Sequence, residues 1–271
     1  MSIAARDGWL TWRHLVGARV RSQLQYRMSF AVDAIASFAL TFVDFVEVLV
    51  LFTHFHALGS WTLPEVAILY GISGTGIALA DMLIGHVEEL HLDIRSGQFD
   101  VVLLRPAGTL LQVMAGDIAL RRVGRCLQAL VVLAYGLHAS HVEWTPARVI
   151  LLPVGIVCAT FIFGATFVLF QSITFWTVGS GEAGNAFTYG GNTLTSYPLD
   201  IFGPWLRRAF AFVIPLAFVT YFPGLYLLGK PDPLGYPSWI QFAAPLVAVA
   251  YCSATAWFWR VAVRHYRSTG S

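Results

Sequence analysis

Long apolar stretches that carry almost no charge constrain the fold of this chain more than any other feature of its sequence. Residues 28–53 form the first stretch, and comparable stretches follow at 64–85, 126–142, 146–176 and 239–259. About 20 apolar residues suffice for a helix to cross the hydrocarbon core of a bilayer. Only 12% of the 271 residues are charged, whereas soluble domains carry roughly 25%. The chain is therefore predicted to be an all-α integral membrane protein.

Six membrane spans are predicted, and the position of span 5 has two interpretations. Hydropathy places it at 209–229, where Pro215 and Pro223 interrupt the apolar run. The alternative places it at the more polar stretch 181–201, and 204–229 is then a re-entrant hairpin on the outer face. Irregular backbone at that depth is tolerated only where protein or water surrounds it. Both interpretations leave the two termini on the same side of the membrane.

Basic residues are concentrated on one side of the predicted membrane domain. Residues 1–27 hold five, 86–125 another five and the tail after 259 three, which makes 13 of the 17 lysines and arginines. Because positive loops stay on the cytoplasmic side, both termini are predicted to be cytoplasmic. Residues 1–27 form a predicted amphipathic helix in the membrane interface, and 28–271 form the six-span membrane domain.

Acidic residues fall inside the first two predicted spans, and four of them are candidate site residues. Asp33, Asp44 and Glu47 lie on one side of the first helix at 100° per residue, and Asp81 lies in the second. A charge facing lipid costs several kcal/mol, so these side chains must face protein or water. They are candidates for a cavity lining or a proton site. The alternative is that they pack against a partner helix with local hydrogen bonds.

A polar segment, 86–108, separates spans 2 and 3 and is predicted to be structured. Residues 88–95 have the pattern of a short helix, Ser96-Gly97 that of a turn, and 100–106 that of a second short apolar piece with a charged end. Such a segment is long for a simple connection. It is predicted to dock a soluble partner. The candidate contact residues are Glu88, Glu89, His91, Asp93, Arg95, Gly97, Asp100, Arg105 and Pro106.

The sequence lacks the motifs that would make this chain an enzyme. A phosphate-binding P-loop needs a lysine followed by serine or threonine, and the only lysine, Lys230, precedes Pro231. No His-Glu-x-x-His zinc helix and no Gly-x-Ser-x-Gly nucleophile motif occurs. The basic residues sit at helix ends and form no stripe for nucleic acid. The chain is predicted to be no enzyme, to bind no metal or cofactor of its own and to bind no nucleic acid.

The order of several short motifs resembles the permease subunits of type-2 ABC exporters, in particular the short, separate bacterial permeases. The resemblance covers nearly the whole chain. Its motifs are Gln25-Tyr26-Arg27 before span 1, Arg95-Ser-Gly-Gln-Phe-Asp-Val-Val-Leu-Leu-Arg-Pro106 after span 2, Phe175-Trp176, Tyr197-Pro198-Leu-Asp-Ile-Phe202, and Ile214-Pro215 with Tyr221-Phe-Pro223.

The resemblance implies an architecture and partners. It implies six spans in a bacterial plasma membrane, an N-terminal connecting helix, a coupling helix within 86–108 and a re-entrant hairpin before the last span. That hairpin favours the second interpretation of 204–229. The working unit is expected to hold two permeases, identical or sister chains, and two ABC ATPase subunits. ATP and magnesium would bind to the ATPase subunits.

The predicted translocation path lies between the two permeases and is largely apolar, with membrane lipid around the assembly. The aromatic surface of span 4 suits a hydrophobic or amphipathic cargo (a drug, natural product or lipid), which is the expectation for this path. The alternative for such an aromatic stripe is simple core or lipid contact. A proton-coupled secondary transporter or channel that uses the span 1 acids is the alternative. The candidate path residues are Asp33, Asp44, Glu47, Asp81, Phe167, Phe170, Phe175, Trp176, Tyr197, Pro198 and Pro215.

Overall fold

The computed structural model describes residues 27–105, 108–116, 122–177, 181–232 and 235–266, and all regular elements in these ranges are helical. The predicted helix at 1–27 lies outside them except for its last residue. The described α-helices are α1 (Arg27–His54), α2 (Leu63–Ile84), α3 (Leu90–Arg95), α4 (Gln98–Leu104), α5 (Thr109–Met114), α6 (Val123–Ala139), α7 (Pro146–Gln171), α8 (Gly181–Thr195), α9 (Pro204–Arg208), α10 (Tyr221–Leu228) and α11 (Ala244–Arg264).

Four of the described helices are long and apolar enough to cross a membrane. They are α1, α2, α7 and α11, and they match the predicted spans 1, 2, 4 and 6. A fifth candidate is a bent pair, Pro204–Ala211 and Leu216–Leu228, whose two arms meet at 75°. The shorter apolar helix α6 begins three residues before the predicted span 3. The prediction of an all-helical protein with several membrane helices is confirmed.

Local sequence signals explain where the long helices begin. Pro64 occupies the first turn of α2, and the carboxylate of Glu65 accepts a hydrogen bond from the backbone N–H of Thr62 at 2.7 Å. Pro146 likewise occupies the first turn of α7. The side chain of Thr145 caps this helix by accepting a hydrogen bond from the backbone N–H of residue 148. Proline is favoured there because the first helical N–H groups have no partner within the helix.

Helix α2 forms the centre of the bundle because glycines allow its neighbours to come close. A Cβ atom on Gly71 would lie 2.5 Å from the Cβ of Leu133 in α6, and one on Gly76 would lie 2.6 Å from the Cβ of Ala159 in α7. Both distances are shorter than any real contact. Small residues at such positions let membrane helices approach backbone to backbone.

Helix α8 and the turn after it run antiparallel to α2 along its whole length. Three side-chain hydrogen bonds mark this path. In order from the C-terminal to the N-terminal end of α2, they join Tyr189 to Glu88 (2.6 Å), Ser73 to Asn192 (2.9 Å) and Trp61 to Asp200 (3.3 Å). We call the end of the bundle that holds residues 85–116 the lower end, and the end that holds Trp61 and Lys230 the upper end.

Residues 204–229 leave the upper end and return to it. At half the depth of α2, the hydroxyl of Thr220 donates to the carbonyl of Thr195, the last residue of α8. The segment ends where the Nζ of Lys230 lies 2.9 Å from a carboxylate oxygen of Glu65 and 2.5 Å from the carbonyl of Ser60. Both arms of the bent pair therefore open toward the same end of the bundle.

Buried side chains form one large core along the helices, a small cluster between α2, α6 and α10, and a separate core at the lower end. The large core contains residues of α2, α7 and the bent pair, among them Phe163, Phe167 and Phe222. The lower core joins the 85–116 segment to the C-terminal ends of α7 and α11. Its position puts the predicted docking segment in direct contact with three of the long helices.

Candidate functional site

The described residues of the 85–116 segment, 85–105 and 108–116, form a chain of short helices folded under the bundle. A 3-10 turn, Gly85–Glu89, continues α2 and leads into α3. Gly97 then turns the chain into α4 with φ of 73°, a left-handed conformation that favours glycine. This is the turn that the sequence predicts at Ser96-Gly97.

Aromatic side chains anchor α4 to the bundle. Phe99 is fully buried, and its ring stands edge-on to those of Phe175 and Tyr266, with centroids 5.1 and 4.9 Å away. Phe175 also packs edge-on against Trp259 at 5.4 Å. The hydroxyl of Tyr266 donates to a carboxylate oxygen of Asp100 at 2.9 Å. These contacts hold the inner side of the segment against α11 and the end of α7.

A network of two acids, two arginines and one tyrosine, fully buried at Asp81 and half-buried at the other four, joins the segment to three helices. Asp81 of α2 is fully buried and forms ion pairs with Arg122 and, at 3.3 Å, with Arg125, both at the start of α6. A second nitrogen of Arg122 lies 3.2 Å from Glu88. The hydroxyl of Tyr189, on α8, donates to the other Glu88 oxygen at 2.6 Å. We call these five side chains the lower network.

The lower network is electrically neutral, which makes its burial tolerable. Burial lowers the pKa of the Arg122 guanidinium, but arginine stays protonated in proteins, so the ion pairs persist. The guanidinium of Arg125 also lies over the ring of Tyr189, 5.7 Å from its centre. Removing one partner from such a buried pair strands a charge, at a cost of about 3–5 kcal/mol.

His86 makes a second polar cluster on the same segment. Its two ring nitrogens lie 3.5 Å from Glu89 and 3.3 Å from Asp93. The ring packs over Gly116, where any side chain would overlap it. His91 bonds within the segment through the carbonyl of residue 88 at 3.0 Å. Among the described residues, no group of three His, Cys, Asp or Glu side chains is placed to hold a metal ion.

The outer side of the segment presents apolar and charged side chains together. Leu104 is 84% exposed, and its neighbour Arg105 and, in α3, Arg95 are exposed as well. An exposed apolar patch with a polar rim is typical of a protein interaction site. We call this surface the lower face. Its residues are Glu89, Leu92, Arg95, Val101, Leu103, Leu104 and Arg105.

The predicted docking residues therefore divide between the surface and the interior. Glu89, Arg95 and Arg105 are exposed on the lower face, whereas Glu88 and Asp93 are turned toward internal partners. Pro106 lies outside the described residues. Sequence reasoning did not include Leu92, Val101 and Leu104, although apolar residues in a polar connecting segment are the signal that would have found them.

The predicted path residues do not share one surface. Asp33, Asp44 and Glu47 are exposed on α1, and none makes a hydrogen bond or ion pair with another described residue. Trp176 is exposed as well, and Tyr197 is half-buried. The others are covered: Asp81 in the lower network, Phe175 in the lower core, Phe167 against Tyr189, Phe170 against Phe187, and Pro198 and Pro215 inside the bundle. Their role in a path stays a prediction.

Residues 38–270 match the family model of ABC-2 family transporter proteins. The chain belongs to this family. The match starts within α1 and includes every later helix of the structure, so the family resemblance predicted from the sequence is confirmed. Membership of this family implies an ABC ATPase as a partner in general. Neither a search of curated proteins nor a search of solved structures found a match.

Proposed function

We propose that this chain is the membrane-spanning permease subunit of an ATP-driven exporter and that its lower face docks on a separate ABC ATPase. The observation that carries the proposal is the two-sided 85–116 segment. Phe99 fixes its inner side in a buried aromatic core, while Leu104 and its neighbours leave its outer side uncovered. A segment that transmits motion needs both a rigid attachment and a free contact surface.

The proposed topology has six spans with cytoplasmic termini, and it makes 181–201 span 5. The course of this stretch along the full length of α2 supports that assignment. Its polar side chains find partners inside the bundle, as Asn185 does with Gln171 at 2.7 Å and Asn192 with Ser73. Membrane helices tolerate such residues where they bond to other helices. Residues 204–229 then form the re-entrant hairpin, a reading supported by the 75° bend and by the return to the upper end.

The proposed working unit contains two permeases, identical or sister chains, and two ATPase subunits that bind ATP and magnesium. The exposed acids of α1 support a second permease across the path, because carboxylates in a membrane helix must face protein or water. The absence of a P-loop in the sequence supports a chain that is not itself an enzyme. The proposed cargo is hydrophobic or amphipathic, in keeping with the aromatic side chains of α7.

Transport then follows from a shift between two conformations. ATP binding draws the two ATPase subunits together, and each ATPase subunit moves the lower face of the permease that it contacts. The 85–116 segment moves as a unit because its core is packed, and the helices attached to it change the interface between the permeases from inward- to outward-facing. Discrete rearrangements of packed elements are the usual form of such transitions.

A co-purification experiment tests the docking surface. The chain is expressed with an ABC ATPase from the same genome, either as wild type or with Leu92→Glu and Leu104→Glu together. We expect the double variant to lose at least tenfold in affinity for the ATPase, since burying one leucine is worth about 1.5–3 kcal/mol. Phe55→Glu, at another exposed apolar position at the upper end, is the control. A double variant that still binds the ATPase with wild-type affinity refutes the assignment.

The exposed acids of α1 also favour a second candidate function, a proton-coupled secondary transporter or channel. Such a protein would need no ATPase. The purified chain, reconstituted alone into liposomes with a pH gradient, distinguishes the two candidates. Cargo movement driven by the gradient, and lost in Asp44→Asn, would support this second candidate over the exporter.

A further inference from the structure

The lower network contains a hydroxyl group that has two acceptors on two different elements. The hydroxyl of Tyr189 lies 2.6 Å from an oxygen of Glu88 and 3.5 Å from an oxygen of Asp81. Glu88 belongs to the turn that starts the 85–116 segment, whereas Asp81 belongs to α2. A hydroxyl has one proton to donate, so Tyr189 makes its strong bond to one carboxylate at a time.

We propose that Tyr189 is a positioning residue that ties α8 either to the 85–116 segment or to α2, and that this exchange transmits movement of the segment to α8. The inference rests on the proposed function. In the present arrangement Tyr189 is bonded to Glu88, so α8 is attached to the segment. When the segment moves away, the hydroxyl rotates to Asp81 and α8 is attached to α2.

The ion pairs of Asp81 are kept in both arrangements, whereas Glu88 leaves Tyr189 and Arg122 together with the segment. Asp81 keeps its ion pairs with Arg122 and Arg125 in either case, because all three side chains lie on α2 and α6, outside the moving segment. Arg125 also stays over the ring of Tyr189. Arg122 contacts Glu88 through one nitrogen only and uses the other for Asp81, so it loses one of two partners when the segment moves.

Glu88 is the branch point of this arrangement. One of its oxygens accepts from Tyr189 of α8 and the other from Arg122 at the start of α6. Movement of the segment therefore acts on two helices through two separate atoms. Cutting one connection should leave the other intact, and this separability distinguishes transmission from a general loss of stability.

The test measures which helices respond to nucleotide. The permease and its ATPase are purified as a complex, placed in lipid nanodiscs and compared with and without trapping by ATP and vanadate, using hydrogen exchange with mass spectrometry. In wild type we expect trapping to change exchange in the 85–116 segment, in α8 and in α6. In Tyr189→Phe the change in α8 should fall by roughly tenfold, since a hydrogen bond to a charged group biases an equilibrium by about that factor.

The same experiment separates the two connections of Glu88, one to α8 and one to α6. Tyr189→Phe should keep the response of the 85–116 segment and of α6, whereas Glu88→Leu, which removes both acceptor oxygens, should lose the response of both α8 and α6. Tyr251→Phe is the matched control, because its hydroxyl contacts Thr166 at 3.4 Å between α11 and α7, and it should behave as wild type.

Two outcomes overturn the inference. A Tyr189→Phe complex with an undiminished nucleotide response in α8 shows that the hydroxyl transmits nothing, and the proposed function stands. If Tyr189→Phe prevents assembly of the complex, Glu88→Leu decides, and an undiminished α8 response in that variant overturns the inference in the same way. A wild-type chain that binds no ATPase instead refutes the proposed function, and the inference falls with it.

Discussion

Phe99→Ala should release α4 from the lower end of the bundle while leaving the membrane helices folded. The Phe99 ring is fully buried and stands edge-on to Phe175 and Tyr266. Burial of a phenylalanine side chain is worth about 1.5–3 kcal/mol. Each edge-on aromatic pair adds about 0.5–1.5 kcal/mol. The expected loss is therefore about 3–5 kcal/mol, the usual cost of a Phe→Ala change in a core.

This loss should act locally, because the lower core is separate from the large core of the bundle. A loss of about 3 kcal/mol raises the population of the open segment on the order of a hundredfold. Hydrogen exchange of the 98–104 backbone, measured on the purified chain without its ATPase, should accelerate by about that factor, and exchange in α2 and α7 should not change.

Leu104→Ala supplies the control for this experiment. The two residues lie in the same helix, but Leu104 is 84% exposed, so its truncation should leave the exchange of 98–104 close to that of wild type. The reasoning is refuted if Phe99→Ala leaves that exchange unchanged, or if it accelerates exchange equally throughout the membrane helices. The first result would mean that the ring does not hold α4, and the second that the two cores unfold together.

Three further changes test other parts of the structure. Asp44→Asn should lower transport several-fold at normal expression if this acid serves the path, and unchanged transport would assign it to packing. Gly71→Ala should lower the melting temperature, because overpacking of a tight helix contact costs about 1–3 kcal/mol. The control Gly190→Ala should be neutral or stabilising, because a Cβ at that position meets no atom within 4 Å. Equal melting temperatures of the two variants would contradict the tight contact at Gly71. Lys230→Met should lower the unfolding free energy by about 1–2 kcal/mol through loss of the ion pair to Glu65, and an unchanged melting temperature would show that this contact contributes nothing.

Most of the helices could be predicted from the sequence, and the placement of the aromatic residues could not. The four long spans follow from hydropathy alone. Phe175 was included among the path residues because it continues an aromatic run in span 4. The structure places it in the lower core, where the chain leaves the regular helix through a 3-10 turn after Gln171. A one-dimensional pattern shows that a ring is apolar, but not which other rings surround it.

The lower network shows the same limit for charged residues. Asp81 and Glu88 were recognised as unusual, but Arg122, Arg125 and Tyr189 were not selected, although the sequence shows all five. The partners are 34 to 108 residues apart in the chain, and no spacing rule links them. Sequence reasoning therefore found the charges that need partners and missed the partners themselves.

Membrane insertion and helical structure were decided by composition and by the length of the apolar runs, because lipid offers no hydrogen bonds and each span must satisfy its backbone internally. That requirement is local, so a stretch of about 20 residues already contains the answer. The folding of the 85–116 segment, the neutral lower network and the exposure of Leu104 depend on contacts between distant parts of the chain. Only packing brings α2, α6, α8 and α11 to one end of the bundle, and only there do their side chains acquire the distances of the lower network and the lower core.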